Sequence, residues 1–439
     1  MIDWDGAKEE ASDILSRYVR IKTVNPPGNE EEASLFLSDI LKSENIPHEI
    51  YKSAPKRANI ISRLKGEDPK GLILLSHMDV VHAQEESWDF DPFGGERKDG
   101  YILGRGTLDD KGMGVMTLMA LILVSRQNVK LKKDVVFLAT ADEETGGEYG
   151  AGYMVREHKD KLEACLLINE GGTQMKGILP GDAPLFMIGI GEKGPLWLEL
   201  KREGTSGHAS IPVSDNAPIK LSVAISRLSK RKRPIRMSGE MTDFFYGLGE
   251  GIGGLKGAIL KAVKIPPLRP IIGRVAAKNP SIMAMISDTI SVTMINAGVK
   301  ENVIPGEARA TLDNRLLPGT DKDEFTGWIK RSLGDDKITV RETLFSPPSI
   351  SPLDEKIFSS LKDVAKGLHP KSVTIPMIYS AFTDSRYFRD IGISSYGILP
   401  ASVTAEDIKS IHGINEKISE EALLGGVKFF YNLILKLCT

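Results

Sequence analysis

Leu72-Ile73-Leu74-Leu75-Ser76-His77-Met78-Asp79 is an apolar run that ends on an imidazole and a carboxylate two residues apart. It reads as a buried strand. Because side chains alternate along a strand, His77 and Asp79 leave its C-terminal end pointing the same way. Further short apolar runs lie at Asn59 to Leu64, Val135 to Ala139 and Leu166 to Ile168, and helical patterns cover Asp5 to Tyr18, Glu30 to Ser43 and Gly112 to Ser125. This alternation predicts an α/β fold: a mixed, largely parallel sheet flanked by helices, with functional residues just past the strand ends.

The style changes after Gly191. Strands are expected at Pro195 to Lys201, Ile290 to Ala297, Glu307 to Leu316 and Lys337 to Leu344, with helices at Pro218 to Leu228 and Lys322 to Leu333. The order β-α-β-β-α-β is that of a ferredoxin-like α+β domain. From Pro352 the first style resumes, with a helix to Leu368, strands Val373 to Tyr379 and Ser395 to Leu399, and a closing helix Glu420 to Leu437. The expected organisation is one large domain, 1–191 and 349–439, interrupted by a small one, 192–348. Residues 229–289, with Lys230-Arg231-Lys232-Arg233 and Pro266-Pro267, exceed the six-element count and read as an extra excursion within the small domain.

At 439 residues, 41% hydrophobic and 26% charged, the chain is too long for one ordinary core. Its net charge of −2 gives no global pull toward nucleic acid or an anionic membrane, so neither is expected as a partner. Cys165 and Cys438 are its only cysteines. They lie far apart without metal-type spacing, so a disulfide framework is not expected and Cys165 reads as a buried strand thiol. The N-terminal stretch is charged and amphipathic, and no apolar run of membrane-spanning length follows; a cytoplasmic location is expected.

Three strand ends offer metal-type ligands. His77-x-Asp79 can bind a cation through one ring nitrogen while Asp79 or a carbonyl holds the other; alone, it equally describes a hydrogen-bonded core histidine. Gly104-Arg105-Gly106 is a tight turn that delivers Asp109-Asp110 just before a helix, where a carboxylate can bridge two cations or simply cap the helix. Asp142-Glu143-Glu144 follows the strand Val135 to Ala139. Adjacent carboxylates there repel unless a cation or shared proton relieves them, although a solvated acidic loop has the same composition. Glu170 after Leu166-Leu167-Ile168-Asn169, and His412 in His412-Gly413-Ile414-Asn415-Glu416, are two more candidates.

These residues resemble the di-zinc metallopeptidases and deacylases that include acetylornithine deacetylase, succinyl-diaminopimelate desuccinylase, aminoacylase and glutamate carboxypeptidase. The resemblance runs through Asn25-Pro26-Pro27-Gly28, Asn59, the segments above, Gly191-Glu192-Lys193-Gly194, Gly207-His208-Ala209-Ser210, Asn302-Val303-Ile304-Pro305, Arg315 and His412. It implies a zinc-exopeptidase-like catalytic domain with the small domain as lid and dimerisation unit. It also implies two zinc ions per subunit, with cobalt or manganese as alternatives for the same ligand types. His77, Asp109 and Glu170 would hold one ion; Asp109, Glu144 and His412 the other. Glu143 would be the general base and Asp79 the partner of His77. His208 would serve the oxyanion, reaching a partner subunit's site in a homodimer, Asn302 would touch substrate or oxyanion, and Arg315 would clamp a substrate carboxylate. The family peptide after the bridging aspartate is cis, which points to Asp109-Asp110.

Ser380-Ala381-Phe382-Thr383-Asp384-Ser385-Arg386 departs from the family's Gly-Gly-Thr-Asp-Ala-Arg loop at Ala381 and Phe382. Arg386 is a further candidate for the substrate carboxylate, or a partner for Asp384, and Phe382 a candidate wall of an acyl pocket. The implied reaction is amide hydrolysis of an N-acyl amino acid (deacetylase, desuccinylase or aminoacylase type). The alternative is a metallo-carboxypeptidase or dipeptidase acting on short peptides with a free C-terminal carboxylate.

Overall fold

The computed structural model describes residues 2–439. A nine-stranded mixed sheet runs in the order His48–Ala54, Arg57–Leu64, Lys133–Thr140, Asp68–His77, Ala164–Met175, Ser394–Val403, Leu185–Glu192, Ser349–Ile350, with Val373–Tyr379 also paired to Leu185–Glu192. Its centre is parallel: Asp68–His77 lies between Lys133–Thr140 and Ala164–Met175, and Ser394–Val403 continues from the latter.

The helix Lys111–Arg126 is apolar on every side, and Met113 through Val124 are all buried. Such a helix belongs inside. It packs against the closing helix Glu420–Cys438 so closely that a Cβ on Gly426 would sit 2.2 Å from Met116 Sδ. The strand Asp68–His77 is solvent-exposed only at its start, as its apolar run requires.

The second sheet has four antiparallel strands in the order Thr289–Ala297, Glu307–Leu316, Gly194–Glu203, Ile338–Phe345. With the helices Ala217–Ser229 and Lys322–Leu333 this is the expected ferredoxin-like arrangement. Alternate residues Leu196, Leu198, Leu200, Ala308, Ala310 and Leu312 face those helices in a separate small core with Leu221, Phe325 and Ile329.

Two expectations are corrected and one strand is added to those expected. The excursion 229–289 packs on the large core, not the small sheet: Met241, Phe244, Phe245, Val263, Ile272, Met285 and Ile286 are buried with the residues of the large sheet. Its helix Gly239–Ile252 brings Gly247 and Gly251 against Ile375 and Val373. Cys165 is exposed, its thiol directed to the Gly71 carbonyl at 3.3 Å. The strand His48–Ala54 lacks an apolar run because, at the sheet edge, none of its residues is fully buried.

Candidate metal centre and active site

The centre lies where the parallel strands end. The register sets Ser76 beside Ala139 and His77 beside Thr140, and Leu74 beside Ile168, so Glu170 emerges on the neighbouring strand close to the level of His77. The strand carrying Glu170 does not end there, as the apolar run Leu166 to Ile168 suggests, but continues to Met175. Gly171 at φ +102° turns the backbone just after Glu170, and the pairing with Ser394–Val403 shifts register nearby.

His77 is buried, and its Nδ1 lies 2.9 Å from the Asp79 carbonyl and 3.5 Å from Asp79 Oδ1. The carbonyl, rather than the carboxylate, is thus its closer partner. Nε2 faces Asp109 Oδ1 at 3.0 Å and Glu170 at 3.9 Å. Asp109 turns its other oxygen to His412 Nε2, also at 3.0 Å, and His412 meets Glu144 at 3.2 Å. The ligand atoms of His77, Asp109 and Glu144 lie within 4.8 Å of one another, as do those of His77, Glu143 and Glu170. Asp109-Asp110 is a cis peptide.

Burial, reinforced by the charges of Glu170, Asp384 and Glu144, pushes the Glu143 carboxyl well above the ordinary range, with His77 opposing. Burial and Asp109 likewise raise Glu170 and Glu144. Hydrogen bonds to Asp109 and Glu144 lift His412 to about 10. Packing this many carboxylates around two imidazoles is costly without added positive charge. With His77 Nε2 directed inward and carboxylate oxygens arrayed beside it, the donor set fits divalent cations.

Two supporting residues were quoted within motifs of the sequence but given no role there. Glu416 is fully buried; its Oε1 accepts from the backbone N–H groups of Gly106 at 3.1 Å, Leu108 at 2.8 Å and Asp109 at 3.2 Å, while Oε2 accepts from Arg105 at 2.7 Å. It holds the turn in which Gly104 and Gly106 take φ +146° and +91° and which presents Asp109. Its place four residues after His412 is the one signal in the sequence. Asn25 donates to Asp79 Oδ2 at 2.7 Å, and that carboxylate also accepts from the backbone N–H groups of Glu143 and Glu144. Asp79 therefore orients the two glutamates as well as bordering His77.

The small unit's candidates sit apart from this cluster. His208 is exposed and its Nδ1 engages Ser210 Oγ at 2.7 Å. The strand pair Gly207–His208 and Val303–Ile304, with Ala209 donating to the Asn302 carbonyl, holds His208 and Asn302 close together. Arg315 forks onto Asp313 at 2.8 and 3.0 Å, and its guanidinium lies 5.3 Å from the Phe382 ring centroid. Arg386 lies 4.6 Å from the same ring and donates to the Gly146 carbonyl. Phe382 thus joins an arginine of each unit through its π faces.

A largely buried cluster of metal-type donors at the ends of parallel strands is the arrangement of a metal-dependent hydrolase. The chain belongs to Peptidase family M20/M25/M40, whose sequence pattern matches residues 73–436. It is 31% identical over 404 residues to the N-fatty-acyl-amino acid synthase/hydrolase PM20D1 of Mus musculus, covering 90% of this chain and 79% of the relative. Among solved structures it resembles the M20 family metallo-carboxypeptidase Sso-CP2 from Sulfolobus solfataricus, with a TM-score of 0.72, 20% identity and coverage of 100% and 99% of the two chains. It also resembles the Bacillus subtilis YXEP protein, a dinuclear metal binding peptidase from the M20 family, with a TM-score of 0.62, 16% identity and 98% coverage of each chain.

Proposed function

We propose that the protein is a two-metal amidohydrolase that cleaves N-acyl amino acids. One observation carries the reading: Asp109 offers one oxygen to His77 and the other to His412, each at 3.0 Å, with Glu144 and Glu170 beside them. His77, Asp109 and Glu170 would hold one cation, and Asp109, Glu144 and His412 the other, zinc being the expected ion. Cations bound there supply the positive charge that polarises an amide carbonyl and acidifies water. Glu143, buried beside them, takes a proton from the attacking water at a carboxylate oxygen and passes it to the leaving nitrogen. Asp79 fixes Glu143 and Glu144 through their backbone N–H groups.

Arg315 and Arg386, gathered around Phe382, suit a free substrate carboxylate, because a planar guanidinium binds one bidentately. The acyl side of the assignment is supported by the relative named as an N-fatty-acyl-amino acid synthase/hydrolase. His208 serves the oxyanion in a partner subunit's site, and Asn302 contacts the substrate or oxyanion. A homodimer through the small unit is supported by its edge strand Thr289–Ala297, where Val292, Met294 and Ile295 are exposed beside an unpaired backbone edge. In this reading 1–191 and 349–439 form the catalytic domain, with the apolar residues of the excursion 229–289 packed on its core, and the rest of 192–348 forms the lid, in a cytoplasmic enzyme.

Amine release by zinc- or cobalt-reconstituted protein, across N-acetyl, N-succinyl and longer N-acyl amino acids and dipeptides, tests the proposal. Chelator-sensitive cleavage of N-acyl amino acids is expected. Cleavage of dipeptides alone would move the protein to the carboxypeptidase or dipeptidase reading, and no turnover with metal bound would refute both.

A further inference from the structure

Between Gly251 and Ser287 the chain carries Lys256, Lys261, Lys264, Arg269, Arg274 and Lys278 and no aspartate or glutamate, although the whole chain has a net charge of −2. Two helices, Gly254–Lys261 and Arg269–Ala276, and the turns between them fold this stretch. Their inner residues are committed to the core: Val263 and Ile272 are buried, and a Cβ on Gly257 would lie 2.3 Å from the Gly249 carbonyl of the preceding helix. The stretch is therefore a fixed platform.

Its outer surface is unusual for a solvated helix pair. Leu255 is 79% exposed, Ile259 55%, Ile265 51%, Ile271 54% and Val275 61%. Leu255 and Ile259, and Ile271 and Val275, are four residues apart, so each pair shares one helix face. Lys256 borders the first pair in sequence, and Arg274 and Lys278 border the second. Of these cations Lys264 pairs with Asp243, while Lys256, Lys261, Arg274 and Lys278 have no acidic partner among the described residues. Packing does not require the exposed aliphatic side chains.

We propose that this platform docks the protein onto an anionic lipid membrane. The charge carries the choice of occupant. Exposed aliphatic side chains among unpaired cations match the boundary of a bilayer, where apolar groups enter the acyl region and ammonium and guanidinium groups meet phosphates. A protein–protein interface is ordinarily depleted in lysine. The near-zero net charge of the chain conceals this segregation. Among the described residues no helix is long and apolar enough to cross a membrane, and the contact is peripheral. The proposal does not depend on the substrate assigned to the metal centre.

The test is co-sedimentation of the full-length, metal-loaded protein with vesicles of phosphatidylcholine alone and of phosphatidylcholine mixed with phosphatidylglycerol. Binding is expected only to the mixed vesicles and falls as salt rises. Each cation removed should lower the partition coefficient by about fivefold, so Lys256→Gln with Arg274→Gln costs roughly 25-fold. Leu255→Ser with Ile271→Ser should weaken binding without changing its salt dependence. Both variants alter exposed positions and should keep wild-type hydrolysis of a small water-soluble substrate. Failure of the wild type to bind mixed vesicles at low salt would overturn the proposal, as would unchanged binding by both variants. So would sedimentation velocity showing that Leu255→Ser with Ile271→Ser splits an oligomer, or salt-sensitive retention of the wild type on nucleic acid with none on vesicles.

Discussion

Replacing Glu416 by alanine removes the carboxylate that gathers the N–H groups of Gly106, Leu108 and Asp109 and pairs with Arg105. Both partners of that ion pair are almost wholly buried, so the guanidinium would be left without its counter-charge. Breaking such a pair typically costs about 3–5 kcal/mol. The same loss frees the turn that presents Asp109, and residues that support metal ligands in this way are typically worth about 10–100-fold in metal affinity. Glu416→Gln keeps an oxygen for the three N–H groups but loses the charge; since charge-assisted hydrogen bonds are roughly twice as strong as neutral ones, about half the effect should remain. The assay is competition with a chelator of known affinity, alongside the urea midpoint of the metal-free protein. Folded Glu416→Ala with wild-type metal affinity would refute the assignment. A larger effect of the glutamine variant than of the alanine variant would refute the reasoning from charge.

Glu143→Gln should retain metal and lose about 10²–10⁴-fold in turnover, whereas Glu144→Ala should lose metal; equal metal loss in both would reverse the two roles. Mixing inactive His208→Ala with inactive Glu143→Ala should restore part of the activity through hybrid dimers, and mixtures that stay inactive would favour self-contained subunits. Lys193 donates to the carbonyls of Ala284 and Ser287 and to Thr289 Oγ1, and burial pushes its ammonium down to about 7, with Asp288 opposing. Between pH 7 and 10.5 the unfolded chain therefore holds a proton that the folded chain releases, so this residue makes stability rise with pH across that window. The stability difference between the wild type and Lys193→Met should change by a few kcal/mol over the window, as about 1.4 kcal/mol per pKa unit implies; parallel pH curves would exclude the linkage.

Most regular elements were legible because their hydrophobic periods are unambiguous. The alternation in Glu307–Leu316 and the helical spacing in Lys322–Leu333 led to those bounds. The edge strand His48–Ala54 was not legible, since a strand without a fully buried face carries no apolar pattern. For the excursion 229–289 the sequence shows apolar residues that must be covered but not which core covers them; it lies between elements of the small sheet and packs on the large one.

Local sequence was enough to mark His77, Asp109, Glu143, Glu144, Glu170 and His412 as candidates, because residue type and position at a strand end or turn are properties of short segments. It could not show that one carboxylate of Asp109 would face histidines 32 residues before it and far beyond it in the chain, or that Glu416 would close over the Asp109 turn from 307 residues away. Nor could it show that His208 would stand in solvent against Ser210. Those facts depend on which distant strands and turns are brought together. That choice is made by the burial of whole faces, a cooperative property of the assembled cores that no single segment contains.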